Sequence, residues 1–225
     1  MEWILPNEWS PDSANEGILQ DLGFLFQPKV HTRQLIEQLG RSAYIAIVTG
    51  FWYEYSLAQA GNYGFDFANR NVTLFDEGET KISTSTWPHT GQVVAALLSL
   101  PVEAGNPGQA SLQDYEDKVV YTSSFSVSQK EMLTSACRVT GTTESDWSIS
   151  KENARERFDS GQKQVKEGDM SGFSKVLYTR VFFSGDGDFA NSKGTIDKAL
   201  ALQQEHLDNA TRVAIDRQLA AGGGR

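Results

Sequence analysis

The run Tyr44-Ile45-Ala46-Ile47-Val48-Thr49 constrains this chain more than any other feature. Six consecutive residues without a charge mark a strand buried on both faces, as in a parallel sheet; a half-solvated strand would alternate. Upstream, Trp3-Ile4-Leu5-Pro6 is a shorter apolar run ended by proline, a second buried strand leading into a loop. Residues 10–16, Ser-Pro-Asp-Ser-Ala-Asn-Glu, are loop by composition. From Pro28 to Leu39 the pattern turns helical, with Val30, Leu35, Ile36 and Leu39 as its apolar stripe. Pro28 suits the first turn and Gly40 the position just past the end. Strand, helix, strand is a βαβ unit, whose crossover is right-handed in nearly all cases.

Downstream, Gly50-Phe51-Trp52-Tyr53 closes the strand and opens a helix running to Ala60. Val72–Phe75 and Thr80–Ser83 flank the turn residues Asp76-Glu77-Gly78-Glu79, which predicts a hairpin. Thr90 to Leu100 is a predicted helix with Val93, Val94, Leu97 and Leu98 apolar, stopped by Pro101. Residues 103–111 are loop, and Val119–Thr122 is another strand. Ser128 with Glu131 three residues on is a capping-box signature, for a helix ending near Gly141. Residues 151–225 read as more helical and more polar, with Phe173, Val176, Leu177 and Val181 as one stripe and Ala220–Arg225 as a Gly-rich tail.

Composition removes several function classes. The chain carries 29 acidic and 20 basic residues, a formal charge of −9. General nucleic-acid binding needs clustered Lys and Arg to neutralise phosphates, so it is not expected. A single cysteine, Cys137, excludes an internal disulfide and a Cys-cluster zinc site, which fits a reducing, cytoplasmic compartment. Three separated histidines argue against a His-based metal site, so no metal ligands are assigned. No apolar run approaches the roughly 18 residues of a membrane span.

Four stretches are candidates for chemistry. Gly185-Asp186-Gly187-Asp188-Phe189-Ala190 matches G-x-G-x-x-A, but a dinucleotide loop must follow a strand, and two aspartates would face the phosphates. An acidic surface turn is the better reading. Lys29 is expected at a helix start, where the dipole disfavours a cation; it is either a tuned acid/base or a solvated lysine. His89 with Trp87-Pro88 is either a pocket wall or an ordinary satisfied histidine. Phe51-Trp52-Tyr53-Tyr55 lines either an apolar ligand pocket or the core. Cys137 is most simply a small core residue, and no Ser-His-Asp order or G-x-S-x-G elbow is present.

Taken together, these residues resemble the NmrA-like and isoflavone reductase-like family, atypical relatives of the short-chain dehydrogenases. Trp3-Ile4-Leu5-Pro6-Asn7-Glu8-Trp9 looks like the family's fifth strand and its exit. Lys29, Arg33 and Ile36-Glu37 look like its K-x-x-x-R-x-x-I-E helix, whose lysine is the proposed acid/base. Tyr44–Phe51 looks like the next strand and its turn beside the nicotinamide. Phe75-Asp76-Glu77-Gly78 through Gly91 resembles the G-D-G-x-x-K hairpin and following helix, with His89-Thr90-Gly91 in place of Asp-Ile-Gly. The stretch Val119–Gly141 and Leu177-Tyr178-Thr179-Arg180-Val181 resemble the fungal branch.

The resemblance covers the family's C-terminal two-thirds and has no counterpart of its Gly-rich loop. It implies an α/β chain: a partial Rossmann-type parallel sheet with a C-terminal α+β substrate domain. The implied division is 1–60, a remnant of the NAD(P)-binding domain, and 61–225, the substrate-type domain with a strand returning near 119–122. It implies NADP or NAD as cofactor, Lys29 as the catalytic group, and Asn7, Gly50 and Phe51 on the nicotinamide side. The implied activity is NAD(P)H-dependent reduction of a small carbonyl or aromatic substrate by a truncated family member. The alternatives are an NAD(P)-sensing regulator with a protein partner, or a non-functional fragment. A protein partner or homo-oligomer is compatible with either active reading.

Overall fold

The computed structural model describes residues 2–183 and 185–222. β1 (Glu2–Ile4) is followed by a loop, by α1 (Glu16–Asp21) and α2 (Gly23–Leu39), and by β2 (Ser42–Val48). β1 and β2 pair in parallel, Trp3 beside Ala43, so the predicted βαβ unit forms. β2 divides its side chains between two cores. Ile45 and Ile47 pack with Val93, Leu97 and Val120 on one face, while Tyr44 and Ala46 meet Ile36 of α2 on the other. Burial on both faces explains the unbroken apolar run.

α2 begins five residues before Pro28, which therefore lies inside the helix. Its buried positions are Phe26, Arg33 and Ile36, whereas Leu35 and Leu39 are exposed. The predicted stripe is thus misplaced by the polar Arg33, which occupies the inward face because it has a buried partner. Gly40 ends the helix in the left-handed conformation, as expected.

After β2 come β3 (Phe51–Trp52), α3 (Tyr53–Leu57), α4 (Ala60–Tyr63), β4 (Phe65–Asp66), β5 (Asn71–Phe75) and β6 (Lys81–Ser85). The single helix expected to Ala60 is two short ones after a two-residue strand. α5 (Trp87–Leu98) precedes β7 (Lys118–Tyr121), β8 (Phe125–Ser128) and α6 (Gln129–Thr140). β9 (Ser148–Glu152), α7 (Ala154–Lys166), α8 (Gly172–Arg180), α9 (Phe189–Ser192) and α10 (Leu207–Gly222) complete the order. α5 starts three residues before Thr90 because Thr86 caps it, accepting a hydrogen bond from the His89 amide. α6 has the predicted capping box of Ser128 and Glu131 and ends at Gly141. The expected tail is helical through Gly222; Gly223, Gly224 and Arg225 lie outside the described residues.

The described strands form three sheets, ordered β1-β2-β7, β3-β6-β8 and β4-β5-β9. β7 returns to pair in parallel with β2, Ile47 beside Val120. The expected hairpin between β5 and β6 does not form. β5 pairs in parallel with β9, and β6 pairs with β3 and β8. The turn at Asp76–Gly78 is real, with Gly78 N–H donating to the Phe75 carbonyl, but it separates strands of different sheets. Tyr53, Tyr63, Phe65, Phe75 and Phe158 are fully buried in the large core under these sheets. Cys137 is a buried free thiol in that core. No helix among the described residues is long and apolar enough to cross a membrane.

Candidate active site

The loops leaving β1 and β2 meet at the C-terminal edge of the parallel sheet, the edge where open α/β folds bind ligands. Gly50 N–H donates to the Ser10 carbonyl and joins them. Gly50 has φ +67°, and a Cβ there would lie 2.1 Å from the Ser83 carbonyl oxygen. This close approach to β6 explains the glycine without any ligand.

The β1 loop is held on α2 by a buried charge pair. The Arg33 guanidinium binds Glu8, and both side chains are sealed from solvent. Ser13 Oγ donates to the second Glu8 oxygen at 2.6 Å and accepts from Arg33 at 2.9 Å. Every charge therefore has hydrogen-bonding company, the condition for burying an ion pair.

Lys29 sits one turn before Arg33 on the same helix. Its Nζ donates to the main-chain carbonyl of Asn7. Burial pushes the amine below its ordinary value, Glu8 opposes this, and Arg33 adds to it. The expected cause, a helix-start dipole, does not apply, because Lys29 lies in the second turn of α2. Lys29 and Asn7 line one cleft of about 320 Å³ with Pro6, Leu25, Pro28 and Thr32.

Gly50 and Phe51 lie elsewhere. They border a crevice of about 10 Å³ with Asp12 and Phe189, room for about one water. The Phe51 ring is stacked on Tyr178 with centroids 4.2 Å apart. Of the four residues matched to the nicotinamide side, the structure brings Lys29 and Asn7 into one cleft and Gly50 and Phe51 into another. The rest of the aromatic stretch divides as well: Tyr53 is core and donates to or accepts from Thr211 at 2.8 Å, whereas Trp52 and Tyr55 are exposed beside Trp87.

Two polar clusters are completed by partners that carry no signal in the local sequence, although His89 itself is a sequence candidate. Asp12, 1 % exposed, pairs with Lys193 at 2.5 Å, and Lys193 also donates to Tyr121 Oη at 2.9 Å. His89 is buried against Thr122 and Asp197. Each cluster joins residues far apart in the chain, so periodicity and motif spacing could not find them. The Gly185–Ala190 match is a joint and not a free surface turn: Gly187 accepts from the Ser83 amide, and Asp188 accepts from the Ser83 and Ser126 hydroxyls. Among the described residues no group of three His, Cys, Asp or Glu side chains is placed to hold a metal ion.

No family model matches the chain. Similarity is found at the level of single proteins. Oxidoreductase aprR of Aspergillus flavus is 21 % identical over 211 residues, covering 91 % of this chain and 65 % of that relative. The crystal structure of isoflavone reductase superposes with a TM-score of 0.67 and 17 % identity, covering 94 % of this chain and 65 % of the neighbour. A structure of AtPrR2 with NADP+ and (+)-pinoresinol gives a TM-score of 0.63 at 13 % identity, covering 95 % and 65 %. The chain thus spans slightly under two thirds of the proteins it matches. Over that span the likeness is one of fold. The chain has the α/β fold of the isoflavone and pinoresinol reductases.

Proposed function

We propose that this chain carries the proton-transfer half of an NAD(P)H-dependent reductase acting on a small carbonyl or aromatic substrate. The observation that carries the reading is the Lys29 amine. It is half-buried, held by the Asn7 carbonyl, and eased toward deprotonation inside an open cleft. An ammonium that gives up its proton more readily than a solvated lysine suits a general acid.

The cleft residues fit the nicotinamide end of the cofactor. Pro6, Leu25 and Pro28 offer apolar walls for a flat ring, and the Thr32 hydroxyl, whose own proton goes to the Pro28 carbonyl, offers an acceptor for its carboxamide. Bound there, the cofactor supplies the hydride. Asn7 orients the Lys29 Nζ, and the Glu8–Arg33 pair fixes the loop that carries Asn7. Lys29 then delivers a proton to the substrate oxygen as that oxygen gains charge. In this reading residues 1–60 form the cofactor side and 61–225 the substrate side, and the structure with NADP+ favours NADPH as the first cofactor to test.

The test is fluorescence quenching of NADPH by the purified protein, then its oxidation with a panel of enones and phenylpropenes. Lys29→Ala should lower kcat by roughly 10²–10⁴-fold while NADPH affinity stays within a factor of about two or three. Full activity in Lys29→Ala removes the assigned role, and absence of NADPH binding removes the reading.

A further inference from the structure

β8 is an edge strand of the β3-β6-β8 sheet. It runs antiparallel to β6, with Phe125 opposite Thr84, Ser126 opposite Ser83, Val127 opposite Ile82 and Ser128 opposite Lys81. In such a ladder, opposed residues alternate between exchanging both main-chain hydrogen bonds and exchanging none. The Ser83 amide fixes the phase, because it donates to the Gly187 carbonyl and so turns away from β8. Ser83 and Ser126 are therefore a pair that exchanges none. The N–H and C=O of Ser126 point away from β6, to the open edge of β8, and those of Ser128 point the same way. Glu131 Oε2 accepts from the Ser128 amide at 2.8 Å. The Ser126 N–H and C=O have no partner among the described residues.

That edge opens on a cavity of about 400 Å³. Residues 124–127 form one wall, and Glu131, Thr134 and Arg138 of α6 form another. Glu131 shows which way the open groups face. The carboxylate that takes the outward Ser128 amide also lines the cavity, so the Ser126 groups, on the same edge, look into the same space. The two walls match in length: three steps along a strand span about 10 Å, and seven along a helix also span about 10 Å. The space between them is a groove for about three or four extended residues. Phe125 and Leu207, both packed on the large core, add apolar surface to it. Its charged walls are already paired, Glu131 with Lys81 and Arg138 with Asp208, so the groove selects for no charge.

We propose that this groove binds an extended, uncharged peptide segment of a partner protein, added as an antiparallel strand to the edge of β8. One peptide residue lies opposite Ser126, accepting from its N–H and donating to its C=O, the two bonds the edge leaves open. β-Branched side chains suit the segment, because they favour the extended form and pack on Phe125 and Leu207. The shape favours a peptide over a compact ligand: a donor and an acceptor stand in ladder spacing, midway along a groove walled by a strand and a helix. The site shares no residue with the Lys29 cleft and does not rest on the reductase reading.

The probe is the blocked peptide acetyl-Thr-Val-Thr-Val-amide, added to the isotope-labelled protein at up to about 5 mM, enough to reveal millimolar affinity. Amide NMR with hydrogen exchange reads the result. In the free protein the Ser126 amide should exchange fast, and with the peptide it should exchange at least about fivefold more slowly. The Val127 amide, already bonded to β6, should not change. The same peptide N-methylated at every residue cannot donate and should give no protection. Thr134→Trp, a change at an exposed α6 position that fills the groove, should abolish binding and leave the thermal midpoint unchanged. The exchange data on the wild-type protein keep the test independent of how that variant folds. A Ser126 amide that is slow in the free protein, or that does not respond to the peptide, overturns the proposal. So does equal protection by the N-methylated peptide or by acetamide, or binding that survives in Thr134→Trp.

Discussion

The two ends of the parallel sheet are built on different scales. At the β1–α2–β2 end, the groups that fix the Lys29 cleft lie within one βαβ unit: Asn7, Glu8 and Ser13 on one loop, Lys29 and Arg33 on the next helix. At the β7 end, His89 is completed by Asp197, itself 75 residues beyond Thr122. The strands repeat the contrast. β1 and β2 are joined by one crossover, whereas β5 meets β9 through residues such as Thr73 and Ser150, 77 positions apart. Local construction leaves a signature in a short window of sequence, and long-range construction leaves none.

The largest expected effect breaks the local end. Arg33→Ala leaves the Glu8 carboxylate buried and unpaired, and removing one partner of such a pair costs about 3–5 kcal/mol. Urea unfolding should show this as a lower midpoint, and the loop bearing Asn7 should lose protection from hydrogen exchange. A cost below about 1 kcal/mol, typical of a surface pair, would mean that the pair is not sealed as described.

The long-range construction of the β4-β5-β9 sheet has its own fulcrum in Gln129. Its side chain accepts from the Phe75 amide at 2.6 Å and donates to the Tyr63 and Thr73 carbonyls at 2.9 and 3.0 Å. Gln129→Ala should cost about 1–3 kcal/mol for the backbone groups left unpaired. The loss should appear as faster exchange in β5 with β1 and β2 unaffected. Equal loosening of both sheets would erase the distinction between local and long-range construction.

Asp208 should matter least. Hydrogen bonds from Arg138 and Ser135 hold its carboxyl down at about 2, against an ordinary 3.8. A depressed carboxyl stabilises the fold above its unfolded value, and that contribution is lost as pH falls from 3.8 toward about 2. The pair is exposed, so Asp208→Asn should cost less than about 1 kcal/mol at neutral pH. Wild type and variant should converge in stability at the acid end of that range.

The same contrast decides what could be read from the sequence. The apolar run at 44–49, the Gly40 and Gly141 helix ends and the Ser128 capping box are local rules, and each holds. The β5–β6 hairpin failed because turn chemistry at Asp76–Gly78 says nothing about which sheet each flanking strand joins. β9 was invisible because Ser148–Glu152 is mostly exposed and polar, so no burial pattern marks it. The α2 stripe was misjudged because a paired Arg33 faces inward where periodicity favours leucine. Lys29 is a sequence candidate, but its tuning comes from burial, helped by Arg33 and opposed by Glu8, a tertiary cause that helix position alone does not supply.

The most direct test of the central claim is the pH dependence of NADPH oxidation by the wild-type protein with a substrate it turns over. Lys29 must be protonated to donate, so the rate should be full below its lowered value and fall as pH rises through it, with a midpoint clearly below the 10.5 of a solvated lysine. In Lys29→Ala that alkaline limb should vanish along with most of the rate. A wild-type profile that is flat to pH 10.5, or an alkaline limb that survives in Lys29→Ala, would contradict proton delivery by Lys29.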